Sequence, residues 1–516
     1  MPVRTYRSPV TTQVSDVPVS PQADVAGCRA VAQELSRAGL LDLQTGATGT
    51  GTPPTAITWR IAASPFWLSE AEAAFFEQLG IHLQRFYQAT NQLYHASRKE
   101  QQPAWVCRYF DQGKPDEMIA LGRMNRFKSQ LPGVIRPDMI PTESGLAITE
   151  LDAVPGGIGL TAALGRVYSD VGAIRESPLQ KFEIIGGPDG MLAGFAAMIH
   201  ATLARRQAHA DVGAVREPPL LAIIVSEESK DYRAEMAWLA AQLPRFGVRA
   251  AMLSPEEVRF TEQQLECDID GRSHRIDVLY RFFELFDVNN IPKAELFLYS
   301  AKKGLVTMTP PPKTYLEEKL LFALLHHPAL HTFWEGALPA DTLALLRQLV
   351  PPTWILDPHP LPPHAVIPDL SIDERPVTSW DQLARASQKG RRMVIKPSGF
   401  SPLAWGSRGV VVGHDLPQDA WAEALKQALA GFNETPYVLQ PFVSGRSYRM
   451  DYWDPQSDRL VELQGRVRLS PYYFTAHDEV RLGGILATLC PMDKKLLHGM
   501  SEAILAPCAV RSRDDR

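Results

Sequence analysis

Four apolar segments and one intervening helical segment constrain the fold of this chain most strongly. Residues 218–229 and 248–253 have the apolar composition of buried strands, and residues 231–244 between them have helical spacing. Two further segments, 276–283 and 304–309, have the same strand character. Short apolar strands that alternate with a helix are typical of a parallel sheet covered by helices. The fold class is therefore predicted to be α/β (α+β).

The charge balance and the cysteine pattern argue against several classes of partner and site. The 516 residues, enough for two or three lobes, include 53 Lys and Arg against 58 Asp and Glu, with no long block of one sign. This balance argues against nucleic acid or an anionic membrane as the main partner. No run approaches the roughly 20 apolar residues of a membrane-spanning helix. The five cysteines are scattered without a Cys-x-x-Cys pair, which predicts a reducing compartment, and a cytoplasmic location is expected.

A hairpin predicted over residues 134–152 concentrates negative charge. Side chains two positions apart on a strand share a face, so Glu150 projects with Asp152, and Arg136 projects with Asp138. If the strands pair, three carboxylates crowd around one guanidinium, and like charges opposite each other destabilise a sheet. A divalent cation such as Mg²⁺ would resolve this imbalance. The alternative is a solvent-facing hairpin whose charges are hydrated.

A glycine-rich segment directly after the carboxylates favours the metal hypothesis. Residues 155–161 (PGGIGLT) allow a close approach of the backbone to a phosphate or substrate. Together with the preceding residues they form ITELDAVPGGIGLT, which resembles the closing metal-binding motif of the ATP-grasp superfamily. The resemblance implies that Mg²⁺ is held by Asp138, Glu150 and Asp152, and that Arg136 contacts the transferring phosphate. Asp152 stands where the family usually has Asn, which leaves the placement of a second metal open.

A lysine-bearing strand that comes later in the chain resembles the nucleotide-binding part of the same family. In ordinary members the metal motif follows the nucleotide lysines, whereas here it precedes them, so the resemblance implies a circularly permuted ATP-grasp fold. The segment VIKPSGFSPLAWGSRGVVVG (394–413) resembles the phosphate-binding strand and its covering loop. It implies a catalytic and nucleotide-binding role for Lys396, and hydroxyl or backbone N–H donors at Ser398, Gly399, Ser407 and Gly409. Without the other motifs, a strand that ends in a snorkelling lysine and a turn would explain these residues.

The segment YVLQPFVSGRSYRMDYW (437–453) resembles the hinge that binds adenine, which implies a contact from Gln440 and an apolar wall from Phe442. A buried glutamine satisfied by local backbone is the alternative. Lys319 occupies the place of the family's first nucleotide lysine, although a lysine beside two glutamates on a helix also fits a solvated face. Arg466 and Arg468 share a strand face, where they either meet an anionic substrate or form a surface ladder.

Local capping and spacing signals predict two helices outside these motifs. Residues 69–98 begin with Ser and Glu in capping-box spacing and continue with apolar residues at helical intervals. Residues 315–325 form a second predicted helix, which carries Lys319. His498 has no evident partner in the sequence and is assigned a structural role.

Proline-rich connectors and the motif order suggest five segments. These are a flexible N-terminal leader (1–55), a part that carries the metal-binding strands (56–215), a Rossmann-like pre-ATP-grasp lobe (216–312), an ATP-binding lobe (313–480) and a C-terminal tail packed on the ATP-grasp core (481–516).

The resemblance implies an ATP- and Mg²⁺-dependent ligase that joins a carboxylate to an amine through an acylphosphate. The substrates would be small molecules or peptide-like compounds. Two alternatives remain open at this level: a kinase-like phosphotransferase that uses the same site without an amine, and a nucleotide-binding scaffold without activity. Motif resemblance indicates the class of reaction and leaves the identity of the substrates open.

Overall fold

The computed structural model describes residues 21–41, 58–174, 182–207, 218–362, 364–497 and 501–511. His498 and most of the predicted leader lie outside the described residues. No helix within these ranges is both long and apolar enough to cross a membrane. All five cysteines are buried and none forms a disulfide.

Strands alternate with helices over much of the chain. In chain order the strands are β1 Thr58–Ala62, β2 Phe66–Leu68, β3 Val134–Thr142, β4 Gly145–Asp152, β5 Phe182–Ile184, β6 Leu220–Val225, β7 Arg249–Leu253, β8 Arg259–Phe260, β9 Leu265–Ile269, β10 Arg272–Arg275, β11 Val278–Phe282, β12 Thr307–Thr309, β13 Trp354–Ile355, β14 Ser371–Ile372, β15 Arg375–Pro376, β16 Met393–Pro397, β17 Val411–Val412, β18 Tyr437–Pro441, β19 Ser447–Asp454, β20 Arg459–Ala476, β21 Glu479–Pro491 and β22 Ser501–Arg511.

The helices are α1 Pro21–Arg37, α2 Glu70–Ser97, α3 Trp105–Asp111, α4 Asp116–Gly122, α5 Ile158–Ile174, α6 Gly190–Gln207, α7 Arg233–Gln242, α8 Ala294–Lys303, α9 Leu320–His326, α10 His331–Ala337, α11 Ala340–Leu349, α12 Trp380–Ala384 and α13 Gln418–Ala430.

A large sheet joins early and late parts of the chain. Nine of the described strands belong to it, and its main path runs β19-β1-β22-β21-β20-β3-β4. The early hairpin of β3 and β4 therefore extends an edge that the late strand β20 provides. The predicted C-terminal tail is more than a segment packed on the core, because β22 pairs with β21 on one side and with β1 on the other.

The segment predicted to form a parallel sheet does so. Strands β12, β11, β6 and β7 lie side by side in that order, and all three pairings are parallel. Both faces of the sheet are covered, and every residue of β6 and β11 is buried. The continuous apolar composition of these strands follows from burial on two sides.

Strand β16, which carries Lys396, belongs to a separate antiparallel sheet of order β13-β18-β16-β17. We expected its strands to share one mixed sheet with β19 and β20. The structure divides them, because the chain leaves the small sheet at Pro441 and enters the large sheet at Ser447. Proline lacks the N–H that would continue a strand ladder, which fits an end at this residue.

Three helices show how local signals and packing combine. The predicted capping box of α2 is present, since Glu72 N–H donates to Ser69 Oγ at 3.2 Å and Ser69 N–H donates to Glu72 Oε2 at 2.8 Å. Helix α1 lies in the predicted flexible leader but packs into the main core through Val31 and Leu35, one helical turn apart. Helix α9 begins at Leu320 rather than 315, because residues 314–316 form a separate 3₁₀ turn.

The interior position of β22 yields a stability prediction. Ile504 is fully buried on this strand, so we expect Ile504→Ala to lower the free energy of unfolding by about 2–5 kcal/mol in chemical denaturation. Glu502→Gln on the same strand is the control, because Glu502 is half exposed and its surface ion pair with Lys494 should contribute about 1 kcal/mol or less. Equal and small losses in both variants would contradict the interior placement.

Candidate active site

The hairpin of β3 and β4 places four charged side chains on one patch. In its antiparallel register Arg136 faces Asp152, and Asp138 faces Glu150. A bulge follows Asp138 and increases the local twist. The structure thus brings together three carboxylates and one guanidinium, as the strand spacing predicts.

Asp138 is satisfied by protein donors. The Arg136 guanidinium lies 3.1 Å from one carboxylate oxygen, Nη1 of Arg468 donates to the other at 3.1 Å, and the Ser470 hydroxyl donates at 2.9 Å. Burial alone would raise the pKa of Asp138, but the two guanidinium groups hold it below its usual range. We expected Asp138 to be a metal ligand. In the structure it contacts two arginines and one serine, and its role as a metal ligand stays a prediction.

Asp152 and Glu150 keep more of their surface open to the neighbouring cavity. Arg136 pairs with Asp152 at 3.0 Å, yet burial, with Glu150 adding to it, raises the pKa of Asp152. Glu150 pairs with Lys319 at 2.8 Å, and 39% of its side chain is exposed. Burial would raise the pKa of Glu150, but Lys319 lowers it overall.

Lys319 does not lie on a solvated helix face. It precedes the first residue of α9, and only 12% of its side chain is exposed. Its ammonium group donates to the carbonyl oxygen of Ala404 at 3.3 Å in addition to pairing with Glu150. Although burial opposes the charge, Glu150 raises the pKa of Lys319 above its usual range.

Lys396 connects the small sheet to the early hairpin. Its Nζ donates to the carbonyl oxygen of Thr149 at 3.0 Å, across 247 positions of sequence. Burial lowers the pKa of Lys396 to about 8, and the nearby Glu150 offsets part of this effect. Lys319 therefore pairs with the Glu150 carboxylate, while Lys396 contacts the backbone of the preceding residue.

Ser398 and Gly399, which were predicted to donate hydrogen bonds to a phosphate, donate to a carboxylate of the protein instead. The Ser398 hydroxyl and the Gly399 N–H, the latter at 3.0 Å, both donate to Glu318. Glu318 also pairs with the buried Lys114 at 2.5 Å. These donors therefore fix the start of the loop to the segment before α9, and in this structure they are not available to a phosphate.

The rest of the loop covers the cavity from one side. Ser407 lies on the cavity wall with a left-handed φ of 61°. Gly409 does not line the cavity, and its N–H donates to Leu403 at 2.8 Å inside the loop. Arg408 stacks on Trp405 and pairs with Glu228 of the parallel-sheet lobe at 2.6 Å. The loop is thus held across the cavity by an ion pair at its tip.

The two residues predicted to bind adenine lie apart from this cavity. Gln440 is almost fully buried, and its amide donates to Thr353 Oγ1 at 2.9 Å. This packing resembles the alternative interpretation, in which Gln440 is a core residue whose hydrogen bonds are made inside the protein. Its partner is the Thr353 side chain rather than the backbone. Phe442 packs edge-on against His414 and lines a second cavity.

The cavity itself measures about 380 Å³ and collects groups from several segments. The loop after β11 contributes Glu284, and the segment before α9 contributes Glu317. Sequence reasoning missed both residues. The signal that would have indicated Glu284 is its position at the carboxyl end of a parallel strand, where ligands bind in α/β sheets.

Glu284 and Glu317 form a pair of carboxylates with one cation between them. Arg281 pairs with Glu317, whereas Glu284 has no hydrogen bond or ion pair with any described side chain. Burial raises the pKa of both glutamates; the Glu317 carboxylate raises that of Glu284 further, and Asp152 raises that of Glu317. Of the two carboxylates, only Glu317 has a cationic partner among the described side chains.

A buried carboxylate anchors the glycine-rich segment. Glu235 of α7 accepts N–H groups from Gly157 at 2.7 Å and from Leu160 at 3.1 Å. Burial raises the pKa of Glu235 to about 7. On the other side of the segment the Tyr472 hydroxyl donates to the carbonyl oxygen of Gly156 at 2.8 Å. The segment is therefore rigidly placed, and two of its N–H groups are already used.

In the described part of the chain, no three His, Cys, Asp or Glu side chains are grouped closely enough to hold a metal ion by themselves. Any cation at the hairpin would need further ligands from a substrate. This is the usual situation for Mg²⁺, which takes one or two carboxylates together with phosphate oxygens.

Close packing at Gly399 yields a second prediction. A Cβ added there would lie 1.7 Å from the carbonyl oxygen of Glu317. We expect Gly399→Ala to cost about 3 kcal/mol in unfolding free energy, near the upper end of typical overpacking. Gly406→Ala in the same loop is the control. It meets no atom closer than 4.0 Å, and its left-handed φ should cost about 1 kcal/mol. A smaller loss at Gly399 than at Gly406 would contradict this packing.

Comparison with known proteins places this geometry in a fold. No family model and no curated protein matches the sequence significantly. Among solved structures, a glutathione synthetase-like effector from Globodera pallida in its apo form superposes with a TM-score of 0.53 at 10% identity, over 95% of this chain and 98% of its own. A candidate gamma-glutamylcysteine synthetase from Methylobacillus flagellatus has a TM-score of 0.40 at 13% identity, over 75% and 84% of the two chains. The first of these superpositions shows a mixed α/β fold like that of the glutathione synthetase-like effector, which confirms the predicted α/β fold class.

Proposed function

We propose that this protein is an ATP- and Mg²⁺-dependent ligase that joins a carboxylate to an amine. The observation that carries the proposal is that segments far apart in the sequence converge beside one cavity: Glu150 and Lys319 pair on its wall, and Lys396 reaches the backbone carbonyl of Thr149 next to Glu150. Two lysines beside a carboxylate provide charges that a nucleotide triphosphate and its metal would match. The ATP-grasp type of fold supports the same class of reaction.

The charges around the hairpin fit Mg²⁺ and a triphosphate. Glu150 and Asp152 face the cavity and would hold the metal, while Asp138 keeps Arg136 and Arg468 in place. Nε of Arg468 is buried without a hydrogen-bond partner among the described residues, so it has capacity for an anion. When bound, ATP would supply the phosphoryl group that activates the substrate carboxylate.

This chain's own residues would contribute positioning and charge. Lys396 and Arg136 would stabilise negative charge at the reacting phosphate. The loop that carries Trp405 and Arg408 covers the cavity and would exclude water while the activated carboxylate awaits the amine. No protein nucleophile is required in this scheme.

The acidic half of the cavity supports an amine as the second substrate. Glu284 is unpaired, and the neighbouring walls include Phe283, Phe286 and Tyr232. An ammonium group would pair with Glu284 and would also gain from aromatic faces.

The central experiment measures binding and then turnover. Mg·ATP is titrated calorimetrically into the wild type, Glu150→Gln and the control Glu143→Gln, which changes an exposed glutamate in the turn of the same hairpin. We expect weaker binding only in Glu150→Gln. Acids and amines are then screened for ADP release. A requirement for both substrates supports the ligase. ADP release with a single acceptor would show a phosphotransferase. If Glu150→Gln bound Mg·ATP as tightly as the wild type and no substrate pair released ADP, the protein would be a scaffold.

Glu284 provides a test of the amine site. With the best amine from the screen, we expect Glu284→Gln to raise KM for the amine about tenfold, since one charge-assisted contact is lost. KM for ATP should stay the same. Glu295→Gln, an exposed glutamate of α8 in the same lobe, should leave both constants unchanged. An equal rise of both KM values in Glu284→Gln would indicate a structural defect rather than a lost amine contact.

Lys396 provides a pH test. Because its pKa is lowered to about 8, the side chain is charged below that pH and loses its proton as the pH rises through it. We expect the affinity for Mg·ADP to fall between pH 7 and 9. The fall should vanish in Lys396→Gln. It should persist in Lys319→Gln but move to higher pH, because Lys319 itself stays charged throughout this range and its loss removes a like charge that lowers the pKa of Lys396. A profile that is unchanged in Lys396→Gln would assign the titration to another group.

A further inference from the structure

A second cavity, of about 480 Å³, has the opposite charge character. Four cations line it, namely Lys389, Arg392, Arg466 and Lys495. The whole chain carries a net charge of −5, so this concentration of positive charge is local. We refer to it as the basic cavity.

The basic cavity adjoins the candidate active site along β20. Arg466 lines the basic cavity, and Arg468, two positions later, lines the cavity of the candidate active site, which we call the acidic cavity. Residues two positions apart on a strand share a face and lie about 7 Å apart. The two cavities therefore open onto the same face of the large sheet as neighbouring but distinct spaces.

The positive charge of the basic cavity is only partly compensated. Lys495 pairs with Asp415, and Nη1 of Arg466 donates to the carbonyl oxygen of Met492 at 2.9 Å. The side chains of Lys389 and Arg392 are exposed and make no ion pair or hydrogen bond with the residues that the structure describes. Of the four cations, only Lys495 has a carboxylate partner among the described residues.

Two buried nitrogen atoms point to a ligand rather than to a hydrated surface. Nε of Arg466 and Nδ1 of His414 are both buried and have no hydrogen-bond partner in the described ranges. An unsatisfied buried polar atom costs about 1–3 kcal/mol, and a bound acceptor would remove that cost at Arg466.

The chemistry of these groups selects the ligand. Arginine and lysine together match phosphate oxygens, and Phe442 with His414 forms one aromatic wall. A neutral purine base would leave four cations unmatched. We propose that the basic cavity binds a phosphate-bearing anion, separately from the triphosphate of the proposed reaction. This proposal stands whether or not the acidic cavity binds a nucleotide.

The test uses inorganic pyrophosphate as the probe and the full chain. Calorimetric titration compares the wild type with Lys389→Gln/Arg392→Gln, which changes two exposed residues and should leave the melting temperature unaltered. Lys302→Gln/Lys426→Gln is the matched control, since both lysines are exposed on other helices. We expect at least about a tenfold weaker affinity in the first variant and no change in the control. Equal affinity in the wild type and both variants would overturn the proposal.

Two further arms locate the phosphate and its source. Lys319→Gln should retain pyrophosphate binding, and loss of binding in this variant would assign the anion to the cavity of the candidate active site and overturn the proposal.

The affinity for adenosine 3′,5′-bisphosphate is compared with the affinity for AMP. If the bisphosphate binds more tightly than AMP, and this difference disappears in Lys389→Gln/Arg392→Gln, the phosphate is carried on a nucleotide. Pyrophosphate binding without such a gain would show a free phosphate compound.

Discussion

The contact between Lys396 and the backbone of Thr149 is the constraint on which the site depends. It joins the small antiparallel sheet to the edge of the large sheet, and the Lys319–Glu150 pair reinforces it from α9. Because both lysines are largely enclosed, the carboxylates and ammonium groups depend on each other for compensation, and the cavity between the sheets is held in one shape.

Charge is distributed unevenly around this centre. At the hairpin each carboxylate has a cationic partner, whereas Glu284 forms no ion pair with a described side chain and the basic cavity has cations in excess. The anchored glycine-rich segment, held by Glu235 and Tyr472, forms a rigid boundary to the acidic space.

Local sequence signals predicted the parts of the fold that depend on neighbouring residues. The capping box at Ser69, the parallel strands around α7 and the β3–β4 hairpin were all legible from spacing. Contacts between residues far apart in the sequence could not be predicted from spacing. The capture of Ser398 by Glu318 and of Gln440 by Thr353 depends on which segments pack together, and no local pattern encodes that. Glu284 differs from these residues, because its place at the carboxyl end of β11 is a local signal. Only its lack of an ion-pair partner depends on how other segments pack.

The position of β22 has a consequence for how the protein is made. Residues 501–511 form β22, which lies between β21 and β1. Strand β1 therefore cannot complete its pairing until β22 has been synthesised, several hundred residues later. Until that strand leaves the ribosome, the apolar edge of β1 has no neighbour on that side, and such edges are prone to pair wrongly. Completion of the large sheet is therefore a late, long-range step, which favours slow folding and a need for protection of the nascent chain.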